Sequence, residues 1–220
     1  MDGFIIVDKP GKMTSHDVVS FTRRKFNMRR VGHAGTLDPM ATGVLVVLLG
    51  KSTQLFNRFS SFDKAYEATL RLGMTTDTAD IEGKVLHQAA FDGVTSAVIE
   101  NTFAKFIGEI EQIPPMVSAV KHKGKRLYEL ARKGIEVKRE PRKINIHSLK
   151  ILEFLLPDVR FFLECSKGTY VRKLAEDVGA LLGCGGCISQ IRRTRIGPFT
   201  INESVSLEEM NESHIRHWAD

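Results

Sequence analysis

The chain has 220 residues, enough for one large domain or two small ones. Its 42% hydrophobic content supports a buried core and excludes global disorder. Its 32 Lys+Arg against 26 Asp+Glu give a formal net charge of +6 and a pI near 9.3, a balance that suits a polyanionic partner.

The charge is uneven. Residues 121–143 hold ten Lys/Arg and three Glu, a local net of +7, while residues 201–220 hold five acids and one Arg, a net of −4. One face is therefore expected to meet phosphates and another not. No signal-peptide pattern opens the chain. The longest apolar run, Val44 to Leu49, is too short to cross a bilayer. A cytoplasmic protein with no membrane role is expected. Three cysteines give no disulfide framework. Cys184-Gly-Gly-Cys187 is a lone pair where structural zinc uses four ligands, so the alternative is two small residues in a tight glycine loop.

In chain order, Phe4-Ile5-Ile6-Val7 reads as a buried strand ending at Pro10-Gly11. Thr14-Ser15-His16-Asp17 has capping-box spacing and predicts a helix running to Arg23-Arg24-Lys25, whose cations suit the negative end of the helix dipole. Gly32 to Gly43 is a glycine-rich loop and Val44 to Leu49 a strand. Residues 51–60 are expected to be helical. Lys64 to Leu72 alternates, with Tyr66, Ala68, Leu70 and Leu72 on one face. Residues 75–83 form a polar, acidic loop. Residues 95–110 carry a helical stripe of Val98, Ile99, Thr102, Phe103 and Phe106. Pro114-Pro115 breaks the chain before a basic stretch with a short helix over 126–133. Residues 143–155 and 158–165 are two strands joined near Pro157, and 168–182 is a strongly amphipathic helix. Residues 188–196 read as a strand and 206–218 as a closing helix. Neighbouring strands without a regular βαβ rhythm point to a mixed or antiparallel sheet with helices on it.

Asp38 is the first candidate for chemistry. It lies between Gly35 and Gly43 and directly before Pro39, which pushes it toward extended backbone. Such a loop can present a carboxylate at the floor of a cleft, or the carboxylate can cap its own turn. His33, on the same segment, can stack on a base or bond a local carbonyl. Asp77 and Asp80 can meet a cation or organise their own loop by hydrogen bonds.

Residues 32–43, Gly-His-Ala-Gly-Thr-Leu-Asp-Pro-Met-Ala-Thr-Gly, resemble the signature of the TruB family of tRNA pseudouridine synthases. So do Asp8-Lys9-Pro10-Gly11-Lys12-Met13-Thr14-Ser15, Tyr66 with Leu72-Gly73, and Thr76-Asp77-Thr78-Ala79-Asp80. Gln112-Ile113-Pro114-Pro115, Ser118-Ala119, Lys121, Gly124 and Arg126-Leu127-Tyr128-Glu129-Leu130-Ala131 follow in the family's order. The set closes with Cys165-Ser166-Lys167-Gly168-Thr169-Tyr170-Val171-Arg172 and Arg192-Arg193-Thr194-Arg195-Ile196-Gly197-Pro198-Phe199. Ala34 stands where the signature often has threonine.

The resemblance implies an α+β pseudouridine-synthase fold, with a mixed, largely antiparallel sheet flanked by helices. It implies one catalytic domain over residues 1–220, with 112–143 as an inserted basic thumb that grips RNA. Only 21 residues follow Phe199, which implies a short form without the family's small C-terminal RNA-binding, PUA-like domain. The implied reaction converts the T-arm uridine at tRNA position 55 to pseudouridine, in a monomer, with neither cofactor nor metal. By the same resemblance, Asp38 is the catalytic carboxylate, a covalent nucleophile or a base that takes a ribose proton. Arg172 pairs with it, the alternative being a helix pair with Glu176. Tyr66 stacks on the target base, or serves as a core tyrosine. His33 helps hold the flipped nucleotide. Lys9, Tyr170 and Ile191 match pocket-lining positions, or serve as a strand-end lysine and core residues. Lys121, Arg126 and Tyr128 supply the thumb's cations and a stacking ring. Arg192, Arg193 and Arg195 form a second phosphate candidate. A rival reading is an RNA binder that keeps the scaffold without catalysis. A phosphoryl-transfer enzyme lacks support, because no glycine loop ending in Gly-Lys-Ser/Thr is present.

Overall fold

A computed structural model describes every residue except Ala119, Lys123, Arg132, Ala219 and Asp220, and only the backbone at Lys121 and His122. The described chain divides into two compact units, residues 1–67 with 191–220, and residues 68–190.

The first unit opens with strand β1 (Gly3–Lys9) and helix α1 (Ser15–Lys25). Thr14 caps α1: its hydroxyl oxygen accepts from Asp17 N, while the Asp17 carboxylate accepts from Thr14 N and Oγ1. Those bonds hold the Asp17 carboxyl below the usual range. Val18, Val19 and Thr22 form the buried stripe of α1. Strand β2 (Val31–Ala34) follows, then strand β3 (Thr42–Leu49), a turn of 3-10 helix and helix α2 (Phe56–Ser60). Residues 51–60 are thus helical in two short pieces.

Strand β3 is the spine of this unit. Along one edge it pairs antiparallel with β1, from Gly3↔Leu49 to Lys9↔Gly43. Its other edge is divided. Val46 to Leu49 pair antiparallel with β2, while Thr42 and Gly43 pair in parallel with Arg192 and Arg193 of strand β12, below. The segment expected as one loop from Gly32 to Gly43 is therefore a strand plus a tighter loop, 35–41. Its apolar β2 residues are too few to show a period. Gly43 has φ near 101°, and a Cβ there would lie 2.2 Å from Arg193 O, so the close pairing requires glycine.

The second unit begins within strand β4 (Lys64–Leu72), whose buried–exposed alternation follows the sequence. Strands β5 (Met74–Thr76) and β6 (Val85–Gln88) form a small hairpin around the acidic loop. Helix α3 (Ser96–Ala104) ends earlier than the expected 110. Tight turns at Lys105 and Phe106 stop it, and Gly108, at φ 95°, opens strand β7 (Gly108–Gln112). The competing force is pairing: β7 joins strand β10 below in antiparallel register.

Next come β8 (Lys121–His122) and β9 (Lys125–Arg126), paired as a ribbon, and helix α4 (Leu127–Ala131). Strands β10 (Arg142–Leu155) and β11 (Asp158–Cys165) pair antiparallel on either side of Pro157, as expected. Helix α5 (Val171–Leu182) starts at Val171 because Tyr170 is its N-cap. Gly179 of α5 comes so close to Gly186 that a Cβ would lie 2.1 Å from Gly186 N. In the Cys-Gly-Gly-Cys run a Cβ on Gly186 would lie 2.8 Å from Leu70 Cδ1 and 3.0 Å from Ala175 O, and Gly185 has φ near 75°. The cysteines of the run are buried and free, and burial pushes the Cys187 thiol up, away from thiolate chemistry.

Strand β12 (Gly186–Ile196) returns the chain to the first unit, where β13 (Phe199–Thr200) pairs with it. In the sheet of the second unit the order is β12-β4-β11-β10-β7. The pairings are antiparallel except β12 with β3 among those whose register is resolved. The architecture is a mixed α+β sheet flanked by helices, as the sequence implied.

The closing helix expected over 206–218 does not form. Residues 212–214 make one 3-10 turn, and Arg216 then exchanges backbone hydrogen bonds with Phe4, 2.9 Å each way. An available edge of β1 competes with helix propensity, and the aromatic cluster adds to it. Trp218 lies against Phe59, Phe62 and Phe199, with ring centroids 5.1–6.0 Å apart.

Candidate active site

Asp38 sits half-buried in the loop 35–41, between β2 and β3. The carbonyls of this loop are held one after another. Arg193, from β12, donates to Gly35 O at 2.9 Å and to Thr36 O at 3.5 Å, with its Nε on Val44 O at 2.8 Å. Ser15, at the start of α1, accepts from Leu37 N at 2.8 Å and donates to Leu37 O at 3.1 Å. Ala41 N donates to Asp38 O at 3.1 Å. Lys9, at the end of β1, donates to Pro39 O at 3.3 Å and also to Pro10 O and Met13 O. The side chains doing this are buried: Arg193 is 1% exposed, Lys9 0% and Ser15 2%.

A cation removed from water is costly unless hydrogen bonds replace its hydration. Here backbone carbonyls supply them, and in return the loop backbone is fixed from 35 to 39. This also corrects one expectation. Arg193 is not a phosphate contact, because its guanidinium is turned inward onto the loop. The Lys9 ammonium is likewise committed to carbonyls beneath the loop. The sequence held a signal for both: Lys9 follows Val7, and Arg193 follows Ile191, by two residues, which puts each on the inward phase of its strand. Arg192 takes the outward phase, with Nη2 2.7 Å from Asp8 Oδ2 and its side chain 42% exposed.

His33 lies half-buried on β2, opposite Val47. Tyr66 on β4 is 7% exposed and Ile191 on β12 is 8% exposed. Lys9, His33, Asp38, Tyr66 and Ile191 thus all fall in the first unit.

Arg172, Tyr170 and the thumb residues fall in the second unit. Arg172, in the first turn of α5, is 3% exposed. It donates to Thr78 O at 2.7 Å and Val117 O at 2.9 Å, and its Nη1 lies 3.4 Å from Asp80 Oδ2. Glu176 is not its helix partner. Lys173 takes both Glu176 and Asp177, at 2.8 and 2.7 Å. Asp80 also accepts from Thr78 Oγ1 and Glu82 N, and Asp77 from Lys84 N, so the acidic loop is organised internally. Beside Thr78 and Val117 opens a cleft of about 300 Å³, with Lys173 and Arg139 on its wall.

Tyr170 is held by Gln112, a residue the sequence reading passed over as part of a motif. The Gln112 amide accepts from Tyr170 N at 2.8 Å and donates to Tyr170 O at 3.2 Å, from a side chain 3% exposed. In the thumb segment, Arg126 is exposed on β9 with its guanidinium 5.9 Å from the Tyr128 ring centre. Leu127 and Leu130 anchor α4 by burial. The Lys121 side chain and all of Lys123 lie outside the described residues. Among the described residues no helix is long and apolar enough to cross a membrane.

Two family models match the chain in succession. One describes the TruB family pseudouridylate synthase N-terminal domain over residues 23–171, the other the tRNA pseudouridylate synthase B C-terminal domain over residues 172–219. A curated protein of Geotalea uraniireducens, named tRNA pseudouridine synthase B, is 50% identical over 95% of this chain and 67% of its own length. A protein of the same name from Clostridium tetani is 49% identical over 99% of this chain and 75% of its own. Among solved structures, a chain of a Cbf5-Nop10-Gar1 complex is 33% identical and superposes with a TM-score of 0.74, covering 94% of this chain and 53% of that one. A chain of an H/ACA RNP bound to a substrate RNA containing 2'-deoxyuridine is 29% identical with a TM-score of 0.71, covering 94% and 51%. The chain spans about half the length of those two solved chains.

Proposed function

The chain belongs to the TruB family of pseudouridylate synthases, and on that premise we propose that it isomerises the uridine at position 55 in the T-arm of tRNA, with Asp38 as the catalytic carboxylate. The observation that carries the reading is the fixed backbone from Gly35 to Pro39. A reacting carboxylate must be held to within a fraction of an ångström of its target, and fixing the main chain does this without consuming the carboxylate.

In the proposed reaction the bond between uracil N1 and ribose C1' breaks, and its electron pair leaves with the base. The base turns and C5 bonds to C1'. The C5 proton is lost and N1 gains one, so the product is an isomer of the substrate. Asp38 serves either by attacking C1' or by taking a proton from the ribose, which leads through a glycal. Arg172 aims Asp38 by pairing with it, and Tyr66 stacks on the extruded base near the C5 proton. His33, Tyr170 and Ile191 line the space that holds the nucleotide. Lys9 acts on that space through the loop it supports. The segment 112–143 grips the RNA backbone, with Lys121 and Arg126 on phosphates and Tyr128 available for stacking. The protein acts as a monomer, as one catalytic body, in the cytoplasm where tRNA is found.

Release of tritium from C5-labelled uridine in an unmodified tRNA transcript tests this. The wild type releases tritium and Asp38→Asn does not, while both bind the RNA. Equal release from the two removes Asp38 from its role, and binding without release from either makes the chain a non-catalytic RNA binder.

A further inference from the structure

We infer that the first unit carries its own phosphate-binding surface, formed by Arg24, Arg29 and Lys51, for the backbone of the RNA substrate. The inference rests on the RNA substrate proposed above and adds a contact surface separate from the segment 112–143.

Residues 23–30, Arg-Arg-Lys-Phe-Asn-Met-Arg-Arg, contain five cations and no acid. Three of the five have internal duties. Arg23 donates to Val31 O at 3.0 Å, Lys25 to Leu207 O at 3.1 Å, and Arg30 Nε to Thr53 Oγ1 at 2.8 Å. Arg24 and Arg29 are exposed and make no side-chain hydrogen bond or ion pair among the described residues. Lys51 joins them. Gly50 N donates to Arg30 O at 2.8 Å and Val31 pairs with Leu49, so the chain at 50–51 lies beside the chain at 29–30. The Lys51 side chain is likewise exposed and bonds nothing among the described residues.

Some cations of this chain find carboxylates, and other exposed ones, such as Lys12, Lys105 and Lys150, bond nothing with their side chains among the described residues. Lys143 meets Glu109 at 2.8 Å and Arg216 meets Glu203 at 2.8 Å. Asp2 Oδ1 accepts from Lys51 N at 2.6 Å, so one carboxylate stands beside Lys51, and the five cations of 23–30 with Lys51 outnumber it and leave the local potential positive. The negative end of α1 accounts for a cation at Arg24, in its last turn, but not for Arg29 and Lys51, which lie outside the helix.

Position along the chain adds to the case. Residue 30 leads directly into β2, His33 and the Asp38 loop. The eight residues from Arg30 to Asp38 span at most about 28 Å even if fully extended. Phosphates within that reach belong to nucleotides near the target, so the contact suits the RNA arm being modified.

The test is binding of an unmodified tRNA transcript to the whole protein across a salt series, for the wild type and for the triple variant Arg24→Ala, Arg29→Ala, Lys51→Ala. Three phosphate contacts contribute roughly 2–3 to the slope of log K against log salt, so the wild type loses about 20- to 40-fold more affinity than the variant between 50 and 200 mM salt. Single-turnover tritium release at saturating RNA stays at the wild-type rate, since none of the three lies at the reacting atoms. The triple lysine–arginine exchange (Arg24→Lys, Arg29→Lys, Lys51→Arg) keeps the wild-type slope. An unchanged slope in the alanine variant overturns the surface. A wild type that binds but releases no tritium sinks the catalytic reading instead and leaves the slope comparison intact.

Discussion

Arg193 Nη2 donates to Gly35 O at 2.9 Å, three residues before Asp38, from a side chain that is 1% exposed. Two structural decisions meet in that bond. The edge of β3 is shared between β2 and β12, and the loop 35–41 must arch over the point where one partner gives way to the other. Arg193 occupies that point. It ties the Asp38 loop to the strand framework of the first unit.

Replacing Arg193 should therefore affect turnover more than substrate binding. Arg193→Lys keeps the charge but cannot span three carbonyls. We expect kcat to fall by about 100-fold, the scale of a small misplacement of a reacting group, with KM nearly unchanged. Arg193→Met should in addition lower stability by about 2–4 kcal/mol, because buried carbonyls lose their donors. Steady-state kinetics and denaturant unfolding on the same preparations separate the two effects. A KM rise with constant kcat would place Arg193 on the substrate instead.

Ser15 offers a milder version of the same test. Its hydroxyl serves both Leu37 N and Leu37 O. Ser15→Ala removes one oxygen and leaves two buried backbone groups unsatisfied, at a cost of about 1–3 kcal/mol. Ser15→Thr retains the hydroxyl and should recover most of the activity. Urea midpoints at constant m-value report the loss, and an unchanged midpoint in Ser15→Ala would show that the bond contributes nothing.

In the second unit the sensitive partner is Asp80. It lies 3.4 Å from Arg172 Nη1, with both side chains buried. Removing the Asp80 carboxylate takes one acceptor from the buried Arg172 guanidinium and strips Thr78 Oγ1 and Glu82 N of theirs, at a cost of about 1–3 kcal/mol for each group left unsatisfied. Asp80→Ala should thus destabilise the chain strongly, and Asp80→Asn less so, since it keeps an acceptor for Thr78 Oγ1 and Glu82 N. Thermal unfolding of the two variants checks the order.

The Glu203 carboxyl is held down to about 2, mainly by the Arg216 guanidinium and then by Thr200 N and Oγ1. A depressed carboxylate favours folding where the unfolded chain would also be ionised. Its contribution is complete above the ordinary glutamate value of about 4.3 and is lost as pH falls toward 2. The side chain is 37% exposed, so solvent screening keeps the energy small. NMR titration should find the Glu203 midpoint near 2 in the wild type, and higher in Arg216→Gln. A midpoint that ignores the substitution would assign the shift to Thr200 alone.

The sequence by itself determined the elements whose periods are long. Val18, Val19 and Thr22 on α1, the alternation of β4, the paired strands at Pro157 and the apolar stripe of α5 all read directly from residue spacing. It also determined the family and the place of Asp38 on a bent glycine loop, because contiguous motifs survive in linear order. Tertiary structure decided the rest. Short segments such as β2 and β7 carry too few residues for a period, and they became strands because β3 and β10 offered edges. The tail over 206–218 gave up helical structure for the edge of β1 at Phe4. The inward turn of Arg193 onto the Asp38 loop depends on partners some 150 residues away. Charge alone grouped Arg193 with phosphate-binding arginines, whereas the hydrogen bonds available in the folded chain made it a support of the site.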